Sequence, residues 1–211
     1  MSFDLRTAMI LLLPALGSAL LPGCAVAPPS GAELSERQPL YDQRAARLGQ
    51  LEHWALAGRL AVSDDEDGGS GSLSWRQQPG GSRMDFHGAL GRGAWRLLSD
   101  EAGAELEFAD GRRYRADSVD ALVQGQIGWH VPVDKLAWWV RGLAAPGVFS
   151  DRQLDEEGRL SRLDQDGWSI EFGRYGAVDG ETLPLKMTAR QQDRTVKLAI
   201  RKWELAVAHE P

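Results

Sequence analysis

The sequence predicts an α+β domain, mainly β, in which one antiparallel sheet is interrupted by a block of helices. Apolar residues recur at every second position in short runs from Leu56 to Phe108, and strand-like runs resume from Phe149; alternation is the period of a half-buried strand. Turn signals separate these runs at intervals of about 8–12 residues, as in an antiparallel meander, sandwich or barrel. A helical period takes over within residues 118–143, and strands in long blocks with helices gathered in one stretch are the α+β arrangement.

The chain opens with a secretory signal. Met1–Thr7 carries Arg6 and Asp4, and Ala8–Leu21 is an apolar run of 14 residues interrupted by Pro14, Gly17 and Ser18. As a helix it would reach ~21 Å at ~1.5 Å per residue, short of a ~30 Å hydrocarbon core, which suits a signal-peptide core and not a span. The run ends in Leu21-Pro22-Gly23-Cys24, which resembles a bacterial lipobox and holds the only cysteine of the chain. By that resemblance residues 1–23 are removed and Cys24 becomes an acylated first residue. Ala25 follows it, where an Asp would mark inner-membrane retention, so the outer membrane is expected.

Residues 24–38 are rich in Pro, Gly, Ser and Ala and read as a flexible tether. No change in composition divides residues 39–211, which read as one domain. Its first helix is predicted from Pro39 to about Glu52. Leu40, Tyr41, Ala45, Leu48 and Leu51 fall on one side, with Asp42, Arg44, Arg47 and Gln50 on a solvated face. Leu56–Val62 alternates next, followed by a turn at Asp64–Ser70, a strand with Leu73 and Trp75, a turn at Pro79-Gly80-Gly81, and Met84–Phe86. Strands at Trp95–Leu97, Leu106–Phe108 and Arg113–Ala116 come after, the last two joined through Asp110-Gly111, a strong hairpin signal. Ser118 suits an N-cap for a helix to Ile127, and Pro132 opens another to Leu143, ended by Gly142 and Pro146-Gly147. Five closing strands are predicted at Phe149–Leu154, Arg159–Gln165, Trp168–Tyr175, Leu183–Gln191 and Thr195–Glu204. The total is about eleven strands and three helices.

Chemistry-bearing motifs are scarce. Thirty acidic against 24 basic residues give a net charge of −6, which argues against nucleic acid, because phosphate binding needs clustered Lys and Arg. A single Cys excludes an internal disulfide, and His53, His87, His130 and His209 show no metal-ligand spacing. No G-x-S-x-G and no G-x-x-x-x-G-K-[ST] occurs, so neither a nucleophile elbow nor an ATP site is indicated. Asp64-Asp65-Glu66-Asp67-Gly68 lacks the twelve-residue calcium loop and reads as a solvated hairpin tip. What stands out is eight tryptophans beside five phenylalanines. Large apolar residues on strand faces and a helical stripe form either a well-filled core or a half-open barrel with a cavity.

Ordered features over nearly the whole mature chain resemble a known family. They are Cys24; Trp54 with Gly58-Arg59-Leu60; Leu73-Ser74-Trp75-Arg76-Gln77; Leu90-Gly91; Tyr114-Arg115-Ala116; Gly128 and Val131-Pro132-Val133. They continue through Leu136, Trp138 and Arg141-Gly142; Gly158-Arg159-Leu160; Gly167-Trp168; Leu183-Pro184; and Lys197-Leu198-Ala199-Ile200 with Trp203. This set is similar to LolB, the outer-membrane lipoprotein insertion family. The chain departs from it at Ala89, where the family has Pro, and at Gly142-Leu143-Ala144-Ala145, where Gly-x-Pro is common.

The resemblance implies an incomplete antiparallel β-barrel of eleven strands, lidded by three helices that enclose a hydrophobic cavity. It implies a non-enzymatic, cofactor-free and monomeric receptor that takes lipoproteins from the periplasmic carrier LolA and inserts them in the outer membrane without ATP. The partners would be that carrier, the acyl chains of cargo lipoproteins and outer-membrane phospholipid. Strand alternation puts Leu60, Val62, Leu73, Trp75, Met84, Phe86, Leu97, Leu106 and Phe108 on the cavity wall, with Val123, Leu136, Trp139 and Val140 closing it from the helices. Leu90 and Gly91 map onto the family's membrane-insertion loop, and Arg92 beside them suits anionic headgroups; the other fate for Leu90 is the core, the commoner one for a leucine. Two further classes share these features: a lipocalin-like periplasmic binder of small apolar ligands, and a structural outer-membrane lipoprotein.

Overall fold

The computed structural model describes residues 31–64, 68–88 and 93–205. Cys24, Leu90, Gly91 and the signal segment lie outside the described residues. The chain runs α1 (Gly31–Gly49), β1 (Trp54–Ser63), β2 (Gly68–Gln78), β3 (Gly81–Gly88), β4 (Trp95–Asp100), β5 (Gly103–Phe108) and β6 (Arg113–Ala116). Then come α2 (Val119–Leu122), continued by a π turn over Val123–Ile127, and α3 (Val133–Trp139). Strands resume with β7 (Asp151–Leu154), β8 (Leu160–Gln165), β9 (Trp168–Phe172), β10 (Tyr175–Val178), β11 (Glu181–Pro184), β12 (Lys186–Gln191) and β13 (Arg194–Leu205).

Eleven strands form one antiparallel sheet in the order β6-β5-β4-β3-β2-β1-β13-β12-β9-β8-β7. The long β1–β13 pair joins the first half of the chain to the last and sits at the middle. β6 and β7 are the two edges and do not pair, so the sheet is an unclosed barrel. The segment between those edges carries α2 and α3, which places the helices where closure would otherwise occur. α2 packs on β5, β6 and α3, while α1 packs on β7. Alternate residues of the strands are buried, and they share one apolar core with the helices.

Local chemistry explains the turns. Asp166-Gly167 and Asp179-Gly180 have positive φ at both residues, as a two-residue hairpin with the twist of its strands requires. Asp110-Gly111 differs: only Gly111 is left-handed, and Asp110 Oδ1 accepts from Arg112 N in a wider loop. Ser118 caps α2 by accepting from Ala121 N, and Gly128 ends the π turn at φ 81°. Gly58 sits at a bulge in β1, where a Cβ would collide with the Ala199 carbonyl.

Four expectations are corrected. α1 begins at Gly31 with Pro39 inside it, so the proposed tether overlaps the helix from residue 31; burial of the apolar face outweighs the one hydrogen bond that Pro39 cannot make. On that helix Leu40 is exposed, while Arg44 is buried, donating to the Thr182 carbonyl beside Tyr175. The run from Gly68 to Ser70 is strand and not turn, because pairing with β1 extends to Gly68. The strands expected at Trp168–Tyr175 and Leu183–Gln191 are each two, since β10 and β11 pair off as a separate hairpin. Leu185 and Lys186 N–H both turn to the Arg174 carbonyl at that break.

Candidate functional site

Between the concave sheet face and the helices lies an apolar space of about 30 Å³. Its wall is Leu60, Val62, Leu73, Trp75, Met84, Trp95 and Val196 from the strands, and Val123, Trp129, Val131, Val133 and Leu136 from the helical segment. That is room for a water or two, against the ~300–1,000 Å³ of a typical ligand site. Side chains fill nearly all of the space between sheet and helices.

Seven of the thirteen residues expected on the wall are there: Leu60, Val62, Leu73, Trp75, Met84, Val123 and Leu136. The other six belong to the surrounding core. Phe86 lies behind the wall, stacked on Trp95 at 5.2 Å and edge-on to Trp129 at 5.3 Å. Leu97 and Leu106 face each other across β4 and β5, where α2 packs. Phe108 is only half buried, under the Arg112 guanidinium and against Tyr114. Val140 is buried just beyond α3. Trp139 faces the other way, toward Trp168 of β9 at 6.1 Å. Six residues at ~100° each set it about 120° around the helix from Val133, enough for an indole to leave the stripe.

Trp129 is the largest wall residue that strand and helix periods do not find. It follows the left-handed Gly128 at the end of the π turn, and an apolar residue just after a glycine cap commonly folds back on its helix. The glycines of β2 make room for it: a Cβ on Gly69 would press on the Trp129 ring, and one on Gly71 would collide with Phe86.

Polar latches hold the helices down. Asp120 Oδ1 accepts from Val133 N at 2.8 Å, and burial raises the Asp120 pKa despite that bond. Lys135 pairs with Asp166 at 2.5 Å. The fully buried Gln165 accepts from Trp139 Nε1 and Ala145 N, both at 3.0 Å, and donates to the Ala145 carbonyl at 2.8 Å.

A second depression, of about 570 Å³, opens beside the first between the end of α1, α3 and the β2–β3 turn. Trp75 and Val133 line both spaces and form the partition. Arg141 lies buried at its side, donating from Nε to the Ala137 carbonyl and from Nη1 to the carbonyls of Leu48 and Leu51. The Leu48 carbonyl is in the last turn of α1, where partial negative charge accumulates. Burial lowers the Arg141 pKa to about 10, so the guanidinium stays charged at neutral pH. Among the described residues no cluster of His, Cys, Asp or Glu could hold a metal ion, and no helix is long and apolar enough to cross a membrane.

Comparison with known proteins agrees with this architecture. Residues 52–203 match the family model described as outer membrane lipoprotein LolB. A LolB from Pseudomonas aeruginosa is 40% identical over 202 residues, covering 92% of this chain and 95% of the relative. One from Stutzerimonas stutzeri is 36% identical over 195 residues, with 92% and 94% coverage, and one from Pseudomonas putida 38% over 187, with 88% and 91%. A crystal structure of a LolA superfamily protein from Nitrosomonas europaea superposes with a TM-score of 0.51 at 10% identity, over 81% of this chain and 94% of that one; it bears on the fold alone. The unclosed sheet, its helical cover and the match over residues 52–203 lead to one conclusion: the chain belongs to the LolB family of outer-membrane lipoproteins.

Proposed function

We propose that this outer-membrane lipoprotein receives other lipoproteins from a LolA-type periplasmic carrier and delivers them to the membrane on which it sits. One observation carries the reading: an apolar space roofed by helices, with Trp, Val, Leu and Met side chains alone on its wall. Each buried methylene contributes ~0.8 kcal/mol, so a ~16-carbon acyl chain gains on the order of 12 kcal/mol out of water. A chain of that size enters only if α3 and Trp129 move off the sheet, and their displacement uncovers the apolar wall that then holds it. Collapse of the wall onto itself after release supplies part of the drive, and transfer runs downhill to the bilayer without ATP. The protein acts as a monomer, and its role is transport and not catalysis.

Two residues outside the described part complete the proposal. Cys24 carries the lipid anchor and fixes the protein at the outer membrane, while the folded domain does the transfer. Leu90, with Gly91, meets the bilayer: it is the one large apolar side chain between His87 and Gly93, and Arg92 beside it suits phospholipid headgroups.

The test is transfer by a soluble form beginning at Ala25. Mixed with a carrier–lipoprotein complex and then with phospholipid vesicles, it should take the cargo and release it into membranes without selectivity. Failure to accept any cargo would refute the reading. Tight binding of small apolar ligands without lipoprotein transfer would establish the lipocalin-like alternative.

A further inference from the structure

Among the described residues three buried side-chain nitrogens lack a hydrogen-bond partner: Arg44 Nε, Trp54 Nε1 and Trp75 Nε1. Two of the three, those of Trp54 and Trp75, belong to residues lining the groove beside the apolar space. Their rings meet edge-on at 5.1 Å, and the Arg141 guanidinium lies 5.9 Å from the Trp54 ring. Arg141 also lines the groove, and its Nε and Nη1 donate to backbone carbonyls. Burying a donor without an acceptor costs ~1–3 kcal/mol. Two buried donors without acceptors, both on residues that line one groove, therefore point to an acceptor that arrives from outside.

The rim specifies its charge. Glu52, Asp100, Glu101 and Asp134 line the same groove, and Arg141 is its only cation among the described residues. Four carboxylates disfavour a phosphate or another anion and leave neutral carbonyl oxygens as the fitting acceptors. Because Trp75 and Val133 separate the groove from the apolar space, such carbonyls would sit at the root of chains passing beneath α3.

We propose that this groove is a headgroup subsite that binds the glyceryl ester carbonyls of a diacylated cargo through the indole N–H groups of Trp54 and Trp75 and the Arg141 guanidinium. It rests on the lipoprotein-handling reading and adds to it a site that recognises esters, where the apolar wall recognises only chain. The subsite sets the depth to which the acyl chains enter and distinguishes a diacylglyceryl group from bare hydrocarbon.

Calorimetry on the full folded domain tests this with two soluble probes: a dioctanoyl-glyceryl-cysteine tetrapeptide and its dioctyl ether analogue, which keeps the chains and lacks the carbonyls. The diester should bind about tenfold tighter, the worth of one to two net hydrogen bonds. Trp75→Phe and Trp54→Phe should each shrink that ratio, whatever they do to overall affinity, because the comparison is made within one protein. In the wild type, the isotope-labelled indole N–H signals of Trp54 and Trp75 should shift with the diester and stay with the ether. Equal binding of both probes, or unmoved indole signals, overturns the subsite while leaving chain binding in place. Binding of neither probe overturns both the subsite and the lipoprotein-handling reading.

Discussion

Replacing Gln165 by Met should release the C-terminal end of α3 from the sheet. The side chain is fully buried and makes three hydrogen bonds, from Trp139 Nε1 and Ala145 N and to the Ala145 carbonyl. Methionine has a similar shape and cannot replace them, so three buried groups lose their partners. At ~1–3 kcal/mol for each orphaned group the expected cost is roughly 3–9 kcal/mol, a large part of a typical ~5–15 kcal/mol stability. A domain of this size loses roughly 2–4 °C of Tm per kcal/mol, which gives a fall on the order of 10 °C. Urea denaturation followed by tryptophan fluorescence measures the loss, and amide exchange locates it. Exchange should accelerate over Val133–Ala145 before it does in β1 and β13, because Gln165 ties that segment to β8 and not the strands to each other. A loss below about 1 kcal/mol, or acceleration spread evenly over the sheet, would show that Gln165 is not the latch and would refute this account of how the cover is held.

Other outcomes follow from the same geometry. Asp120→Asn keeps an acceptor for Val133 N and removes a buried charge. Because burial raises the folded pKa of Asp120, the native state holds its proton more tightly than the unfolded chain. Wild-type stability should then fall as pH rises from the ordinary carboxylate pKa through the folded one, and the variant should lack that slope in paired denaturation curves. Gly71→Val would drive a side chain into the His87 carbonyl and the Phe86 ring, costing at least ~1–3 kcal/mol; a silent variant would mean that the aromatic wall is not packed against β2. Leu90→Glu should fold normally and accept cargo but fail to release it to vesicles, since a charge costs roughly 2.5–3.5 kcal/mol at hydrocarbon depth and less at the interface. Unfolding of that variant, or release at the normal rate, would make Leu90 an ordinary structural leucine.

Much of this protein is legible in one dimension. Alternation from Leu56 to Val62, at Leu73 and Trp75, and from Met84 to Phe86 marks which strand face is buried, because a strand turns its side chains over at every residue. Asp166-Gly167 and Asp179-Gly180 specify tight hairpins through left-handed backbone that few residue pairs tolerate, and Ser118 specifies the start of α2 through its own hydroxyl. Those are local interactions, and the motif series from Trp54 to Trp203 adds the family to them.

Tertiary structure decided the rest. A periodic pattern tells which side chains are apolar inward but not which neighbours they meet. Trp139 therefore lies against Trp168 and Gln165 instead of the apolar space, while Trp95, Trp129, Val131, Val133 and Val196 complete its wall. Arg44 reads as a surface cation until α1 has packed, when burial takes it in, and the Leu48 carbonyl of the last turn of α1 engages Arg141. The Gly68–Ser70 run became strand because β1 offered partners, and at Gly69 the Trp129 ring takes the space that a Cβ would fill. Whether the sheet closes depends on two edges, β6 and β7, separated by the helical segment. Contacts between residues so far apart in the chain depend on distance and packing after collapse, and no short stretch of sequence holds that information.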